Sequence, residues 1–317
     1  MTTTTARVEP RPLGKSGPTS DLIRRRPWLQ RLLLIGPALA TIGVFGILPL
    51  CLMGLVSFLE RGMNGGVVWG EYTTEAYVNF LFDRDLDDSL IFNSDYLQIF
   101  LRSFLQSAST TVLALLIGFP TALYMALQPE RRRNLLVFLV TIPFWTNLLV
   151  RNYSWILLLR ANGLIDTALQ SIGLTSEPLN LLYTDFAIAV GLTYSYLPFM
   201  VLPIYASLEK LDWRLVEAAY DLGANRLRAL ARVIIPLSAP GIIAGAILVF
   251  IPCLGAYVTP VLLGGGKTLM IGNLIQLQFG SSRNWPFGAA LSFSLLGLVL
   301  ITMVIYLVRY RGKAAHP

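Results

Sequence analysis

Six long stretches of this chain contain no Asp, Glu, Lys, Arg or His: residues 32–59, 103–129, 134–150, 186–208, 233–266 and 284–308. A helix rises 1.5 Å per residue and a bilayer's hydrocarbon layer is about 30 Å thick, so about 20 apolar residues cross it. Five of the stretches are long enough. The third has only 17 residues, and it reaches spanning length by running on through the uncharged Asn152–Leu159, which leaves Arg151 at an interface. The expected fold class is therefore all-α: a polytopic membrane protein with six transmembrane helices near 32–58, 103–127, 134–155, 186–207, 240–262 and 286–308. One more uncharged window, 268–282, has 15 residues and includes Gln276, Gln278, Gly280, Ser281 and Ser282. It reads as a re-entrant or surface segment.

Composition agrees. Of the 317 residues, 55% are apolar and only 14% are charged, against about 25% charged in ordinary soluble domains. Disorder needs low hydrophobicity, so it is excluded for the chain as a whole. Two cysteines, Cys51 and Cys253, both in apolar runs, exclude a disulfide scaffold. With one histidine, His316, no transition-metal site is expected.

The +7 net charge is distributed by side. Residues 1–31, the loop 128–133, residues 209–232 and the tail after residue 308 are each net positive, together +11. The alternate segments 60–102, 151–185 and 263–285 sum to −4. Basic residues stay on the cytoplasmic side, so both termini are expected inside. A seventh span would put the basic tail outside. The charge is thus a topology signal, and no nucleic-acid partner is expected. Residues 1–30 are expected to form a disordered basic cytoplasmic tail, 31–310 the transmembrane domain and 311–317 a cytoplasmic tail.

Several apparent motifs dissolve on inspection. Arg24-Arg25-Arg26-Pro27-Trp28-Leu29 resembles a twin-arginine export signal, but the 28-residue apolar stretch after it is far longer than the h-region of a cleaved signal. Gly264-Gly265-Gly266-Lys267-Thr268 lacks the earlier glycine of a phosphate loop, where Val261 stands, and reads as a turn after span five. The spans have no interior Asp, Glu, Lys, Arg or His apart from Arg151 near an end. Ion-coupled carriers place such groups near the midplane, so the energy for any transport is expected from another chain.

The richest segment is 209–240. Leu215, Val216, Ala219 and Leu222 form one apolar stripe, and Leu227, Leu230, Ala231 and Ile234 a second after Gly223-Ala224-Asn225. This predicts two short amphipathic helices with a Gly-centred bend, followed by a helix break at Pro236 and Pro240. By pattern alone the hairpin either lies on the lipid surface or docks a soluble partner.

Glu217-Ala218-Ala219, then Gly223, then Ile234-Ile235-Pro236 resembles the EAA loop of bacterial ABC importer permeases. Asn147–Trp155 with Asn162–Ile165, Phe250–Pro260, Leu262–Gly266 and Met270–Asn273 resemble the corresponding segments of spermidine/putrescine permeases. The resemblance covers roughly residues 30–310. It departs at the Ile-Ile-Pro exit, where aliphatic-x-Leu-Pro is commoner, and in the acidic outer segment 60–100.

The resemblance implies an ABC importer type I permease-like fold in the bacterial inner membrane. It implies a chain that is not an enzyme and carries no cofactor or metal, with ATP and Mg on a separate cytoplasmic ABC ATPase dimer. The other implied partners are a second permease subunit in a heterodimer, a periplasmic substrate-binding protein and the lipid bilayer. Glu217, Ala218, Ala219, Asp221, Gly223 and Pro236 are the expected ATPase-coupling residues. The implied substrate is a polyamine, with opines, amino-acid derivatives, iron or thiamine as alternatives and a self-sufficient secondary carrier as the rival class. Tyr153, Trp155, Tyr194, Tyr196 and Tyr257 are candidate path residues through cation–π contact, or else interfacial aromatics.

Reporter fusions test the orientation: one after Gly65 is expected to report the outside and one after His316 the inside. Same-side reports would contradict six spans with both ends in the cytoplasm.

Overall fold

The computed structural model describes residues 27–84, 90–175 and 177–314. The expected N-terminal tail lies outside them up to residue 26, as do the last three residues of the C-terminal one. The described residues fall into two compact units that divide between Leu55 and Val56.

The first unit is one long apolar helix. α1 (Pro27–Ile42) passes through a π turn at Gly43–Ile47 into α2 (Leu48–Val56). Pro37 sits inside α1, and the Thr41 hydroxyl donates to Pro37 O at 2.8 Å. Leu39, Phe45 and Ile47 are exposed, as suits a segment solvated by lipid.

The second unit opens with two hairpins that the helical reading did not anticipate. β1 (Leu59–Arg61) pairs antiparallel with β2 (Val67–Tyr72), and β3 (Phe82–Arg84) with β4 (Leu90–Phe92); the short α3 (Glu75–Val78) lies between them. Gly65 and Gly66, at φ 88° and 80°, make the first turn. Arg61 Nη2 donates to Ser282 O at 3.0 Å and Gly66 N to Arg283 O at 2.8 Å, tying the hairpin to the loop before the last span. Glu71 hydrogen-bonds Glu60 and repels its charge, so the Glu60 carboxyl is held above its ordinary value.

α8 (Asp185–Glu209) is the centre of the fold. It packs against α4 (Asp95–Ala126), α5 (Glu130–Trp145), α6 (Leu148–Leu159), α11 (Ile235–Leu254) and α12 (Val258–Gly264). The hydrophobic effect gives little drive in lipid, so helices associate through close contact of small residues. α4 buries Ser103, Ser107, Thr110, Ala114, Gly118 and Ala122 along one face. α11 buries Ser238, Gly241, Gly245, Val249 and Cys253. Met200 of α8 is clasped between them: a Cβ on Gly118 would lie 3.0 Å from its Cγ, and one on Gly245 2.9 Å from its Sδ. Val201, Ile204 and Leu208 complete this buried seam.

Two expected spans differ in form. Span three is a pair, α5 and then α6 running on to α7 (Leu164–Ser171), bent by 90° at Thr146-Asn147. Asn147 has extended backbone and its side chain accepts from Leu149 N at 2.8 Å, capping a new helix. Span five starts earlier than 240: Arg226–Leu254 runs as one apolar helix. Pro236 and Pro240 do not break it, because the π turn Leu230–Ile234 shifts the register ahead of them. Ile235 N reaches Leu230 O, and the Ser238 hydroxyl satisfies Ile234 O at 2.8 Å. The span ends at Leu254, short of 262, with Gly255 at its C-cap and α12 as a separate helix.

The 268–282 window holds α13 (Ile271–Phe279), nine residues long and too short to span. Its start is buried and held: Ile271 N donates to Ser103 Oγ at 2.8 Å, and Asn273 Nδ2 to Tyr257 O at 3.1 Å. Gly265 at φ 62° stops α12, so the triple glycine is a turn, as expected. The last span is α14 (Trp285–Ala314).

Asp166 in α7 organises the segment 160–184. It is 1% exposed and accepts from Asn162 N at 2.8 Å, Leu179 N at 3.0 Å and Gln170 Nε2 at 3.2 Å.

Candidate functional site

The residues expected to act gather at two features: the hairpin between α8 and α11, and a cavity beside the bend of span three.

The hairpin begins at Asp212, whose carboxylate accepts from Arg214 N at 3.1 Å. α9 (Arg214–Asp221) follows, with Glu217 exposed in its first turn. It ends in a Schellman arrangement: Ala224 N bonds Ala219 O and Gly223 N bonds Tyr220 O, both at 2.9 Å. Gly223 has φ 83° and open space where a Cβ would stand, so the backbone angle, not crowding, calls for glycine. Asn225 then caps α10 (Arg226–Ala229), its Oδ1 accepting from Arg228 N at 2.8 Å.

The expected apolar stripes divide in two. Val216, Ala229 and Ile234 are buried in the same core cluster as Met200, Ile204 and Leu208 of α8. Leu215, Tyr220, Leu222 and Leu227 face outward, Leu222 89% and Leu227 75% exposed. The hairpin is seated on the span bundle through Val216, Ala229 and Ile234 and leaves apolar side chains exposed on its outside, where Arg226, Arg228 and Arg232 are exposed too. Glu217, Ala218, Asp221 and Gly223 are exposed on this element and Ala219 is half-buried. Pro236 lies apart, beyond the π turn and inside the span. Arg133 and Glu209, 3.2 Å apart, join the start of α5 to the end of α8 beside the hairpin. Arg102 and Asp185, 2.8 Å apart, tie α4 to the other end of α8.

The cavity has a volume of about 330 Å³ and is lined by Phe144, Arg151, Ser195, Tyr196, Tyr257 and Thr259 among others. The 90° bend at Thr146-Asn147 puts Arg151 in the first turn of α6, next to the middle of α8, and not at the end of a straight span. Of the five aromatics expected along a path, Tyr196 and Tyr257 line this cavity. Trp155 and Tyr194 form an edge-on pair with centroids 5.6 Å apart. Tyr153 is exposed on α6. The structure thus brings two of the five together at the cavity, pairs two with each other and leaves one outside. Arg151 was visible in the sequence, but its position depends on the bend, for which Asn147 as a cap was the available signal.

The family model described as the binding-protein-dependent transport system inner membrane component matches residues 96–313. The spermidine/putrescine transport system permease protein PotB of Haemophilus influenzae is 42% identical over 269 residues, 85% of this chain and 89% of that protein. PotB of Escherichia coli K12 is 39% identical over 252 residues, 80% of this chain and 91% of that one. A bacterial ABC transporter involved in the import of the acidic polysaccharide alginate superposes with a TM-score of 0.64 at 15% identity, over 94% of this chain and 99% of that one. At that identity the likeness concerns the fold.

The hairpin turn yields a direct expectation. A β-branched residue at φ 83° is strained by about 1–3 kcal/mol, whereas asparagine tolerates that region. Gly223→Val is expected to make the 214–229 segment more sensitive to protease in detergent-solubilised protein, and Gly223→Asn to leave it close to wild type. Equal resistance in both variants would contradict the role of the turn.

Proposed function

The chain belongs to the family of binding-protein-dependent transport system inner membrane components, and on that premise we propose that it carries a polyamine of the putrescine and spermidine class as one of two permease subunits of an ATP-driven importer. It is a multi-pass inner-membrane transport subunit and not an enzyme. The observation that supports the coupling part of this reading is the hairpin: an outward apolar face on a turn fixed by Gly223, rooted by Val216, Ala229 and Ile234 in the core around α8. The likeness to the two PotB proteins over at least four-fifths of the chain supports the polyamine part.

In this reading a cytoplasmic ATPase dimer, which binds ATP and Mg, receives the hairpin through Leu215, Tyr220, Leu222 and Leu227. Glu217 and Asp221 supply charge for pairing on the same element, with Ala218 and Ala219 small enough for close approach. A push on the hairpin passes to α8 through buried side chains and to α11 through the continuous helix. Pro236, inside that helix, is a place for it to flex. The second permease subunit completes the passage, and a periplasmic binding protein delivers the solute and holds most of the selectivity. Residues 31–310 are the permease domain, both termini are cytoplasmic, and 1–30 and 311–317 are tails.

Along the passage the cation meets aromatic faces rather than carboxylates of this chain's spans. Tyr196 and Tyr257 line the cavity, and Trp155 and Tyr194 stand as a pair. Each face stabilises a cation by roughly 0.5–2 kcal/mol, enough to guide it without trapping it. Tyr153, exposed on α6, is better suited to an interfacial position.

Import of labelled putrescine and spermidine by the reconstituted complex tests the reading, with opines and amino acids as competitors. Saturable import that requires ATP and the binding protein is expected, reduced in Tyr196→Ala and abolished in Gly223→Val. If the polyamines neither enter nor compete, the substrate assignment fails.

A further inference from the structure

Arg151 is a charge at the cavity that nothing above uses. Its Nε and Nη1 atoms are enclosed by protein and have no hydrogen-bond acceptor. Two other arginines at helix ends have carboxylate partners, Arg102 with Asp185 and Arg133 with Glu209, although Arg133 Nε also lacks an acceptor. No carboxylate lines the cavity, whose other polar groups are the hydroxyls of Ser195, Tyr196, Tyr257 and Thr259 and backbone. The Arg151 side chain as a whole is half-buried, and a charge drawn even partly out of water is costly unless it is paired, more so at membrane depth. Nothing among the described residues of this chain compensates Arg151, so compensation enters through the cavity. The planar guanidinium presents pairs of N–H donors that match the two oxygens of a carboxylate.

We propose that Arg151 and its cavity form a carboxylate-binding site in the passage. About 330 Å³ admits an Asp or Glu side chain or a small carboxylated solute. Polyamines carry ammonium groups and no carboxylate. The source of the carboxylate therefore rests on the polyamine reading: under it, the group is a side chain of another transporter subunit. An uncompensated guanidinium would repel a passing polycation. Paired with a carboxylate it would not, and the ammonium groups of the solute would compete with it for that carboxylate. A solute with its own carboxylate is the other source of the same chemistry.

The test uses the complete transporter in proteoliposomes, with Arg151→Gln, Arg151→Lys and, should Arg151→Gln fail to assemble, Arg151→Met, which keeps an unbranched apolar stem. Loss of a partner for a buried charge predicts import lowered about tenfold or more in Arg151→Gln with all subunits still co-purifying, and an intermediate rate in Arg151→Lys. In the Arg151→Gln background, the membrane-segment Asp and Glu residues of the second permease subunit are then changed one at a time to their amides. Restored import at one position supports the site and identifies its carboxylate as the subunit's. Failure of every amide to restore, with KM raised about tenfold for a carboxylated competitor alone, supports the site with the solute as the source. Wild-type import of that competitor but not of putrescine would separately end the polyamine reading. Wild-type kcat and KM in Arg151→Gln would overturn the proposal. So would equal loss in the Gln and Lys variants with no restoration and no shift in KM, the signature of a packing residue.

Discussion

The contact between small residues of α4 and α11 and the side of α8 is the interaction on which this structure depends. Lipid is as apolar as leucine, so span association rests on how near the backbones can come. Gly118 and Gly245 press on Met200 from two sides, and the buried hydroxyls and alanines of α4 carry the same face along its length. A Cβ at Gly245 would meet the Sδ and backbone O of Met200, and overpacked cores lose about 1–3 kcal/mol. The ion pairs at the two ends of α8 contribute less. Their side chains are partly exposed, and such pairs are worth about 0–1 kcal/mol.

That packed seam makes the hairpin part of the bundle and not an appendage. Val216, Ala229 and Ile234 share a core with Met200, Ile204 and Leu208, and α10 continues into α11 across the π turn. Close-packed interiors transmit displacement because they compress little. A force on the outer face of α9 therefore has two routes into the membrane, one through side chains and one through a helix backbone. The cavity lies against the middle of α8 and the end of α11, the two elements that those routes reach.

Much of this was legible in the chain. Charge-free windows located the apolar helices because an unpaired charge in hydrocarbon is too costly to leave there, and the short uncharged window 268–282 holds a helix of only nine residues. The Gly-centred hairpin followed from Gly223 and the two apolar stripes. What escaped was set by context. The bend at Thr146-Asn147 and the run of helix through Pro236 and Pro240 depend on caps, hydroxyls and a π turn that re-satisfy the backbone locally, so neither helix period nor proline count reports them. Which leucines of the hairpin face inward depended on the position of α8. The two β-hairpins were missed because strands of three and six residues give almost no periodic signal. Among the path aromatics, only the fold could separate Tyr196 and Tyr257 at the cavity from Tyr153 outside it.

Site-specific photocrosslinking from the hairpin in the assembled transporter measures the central relation most directly. A benzoylphenylalanine at Leu222 or Leu227, both exposed, should capture the ATPase chain, and one at Val216, 6% exposed, should capture only this chain. Capture of lipid alone from Leu222 and Leu227, or of the ATPase from all three positions alike, would contradict a hairpin rooted in the span bundle by one face and docked on its partner by the other.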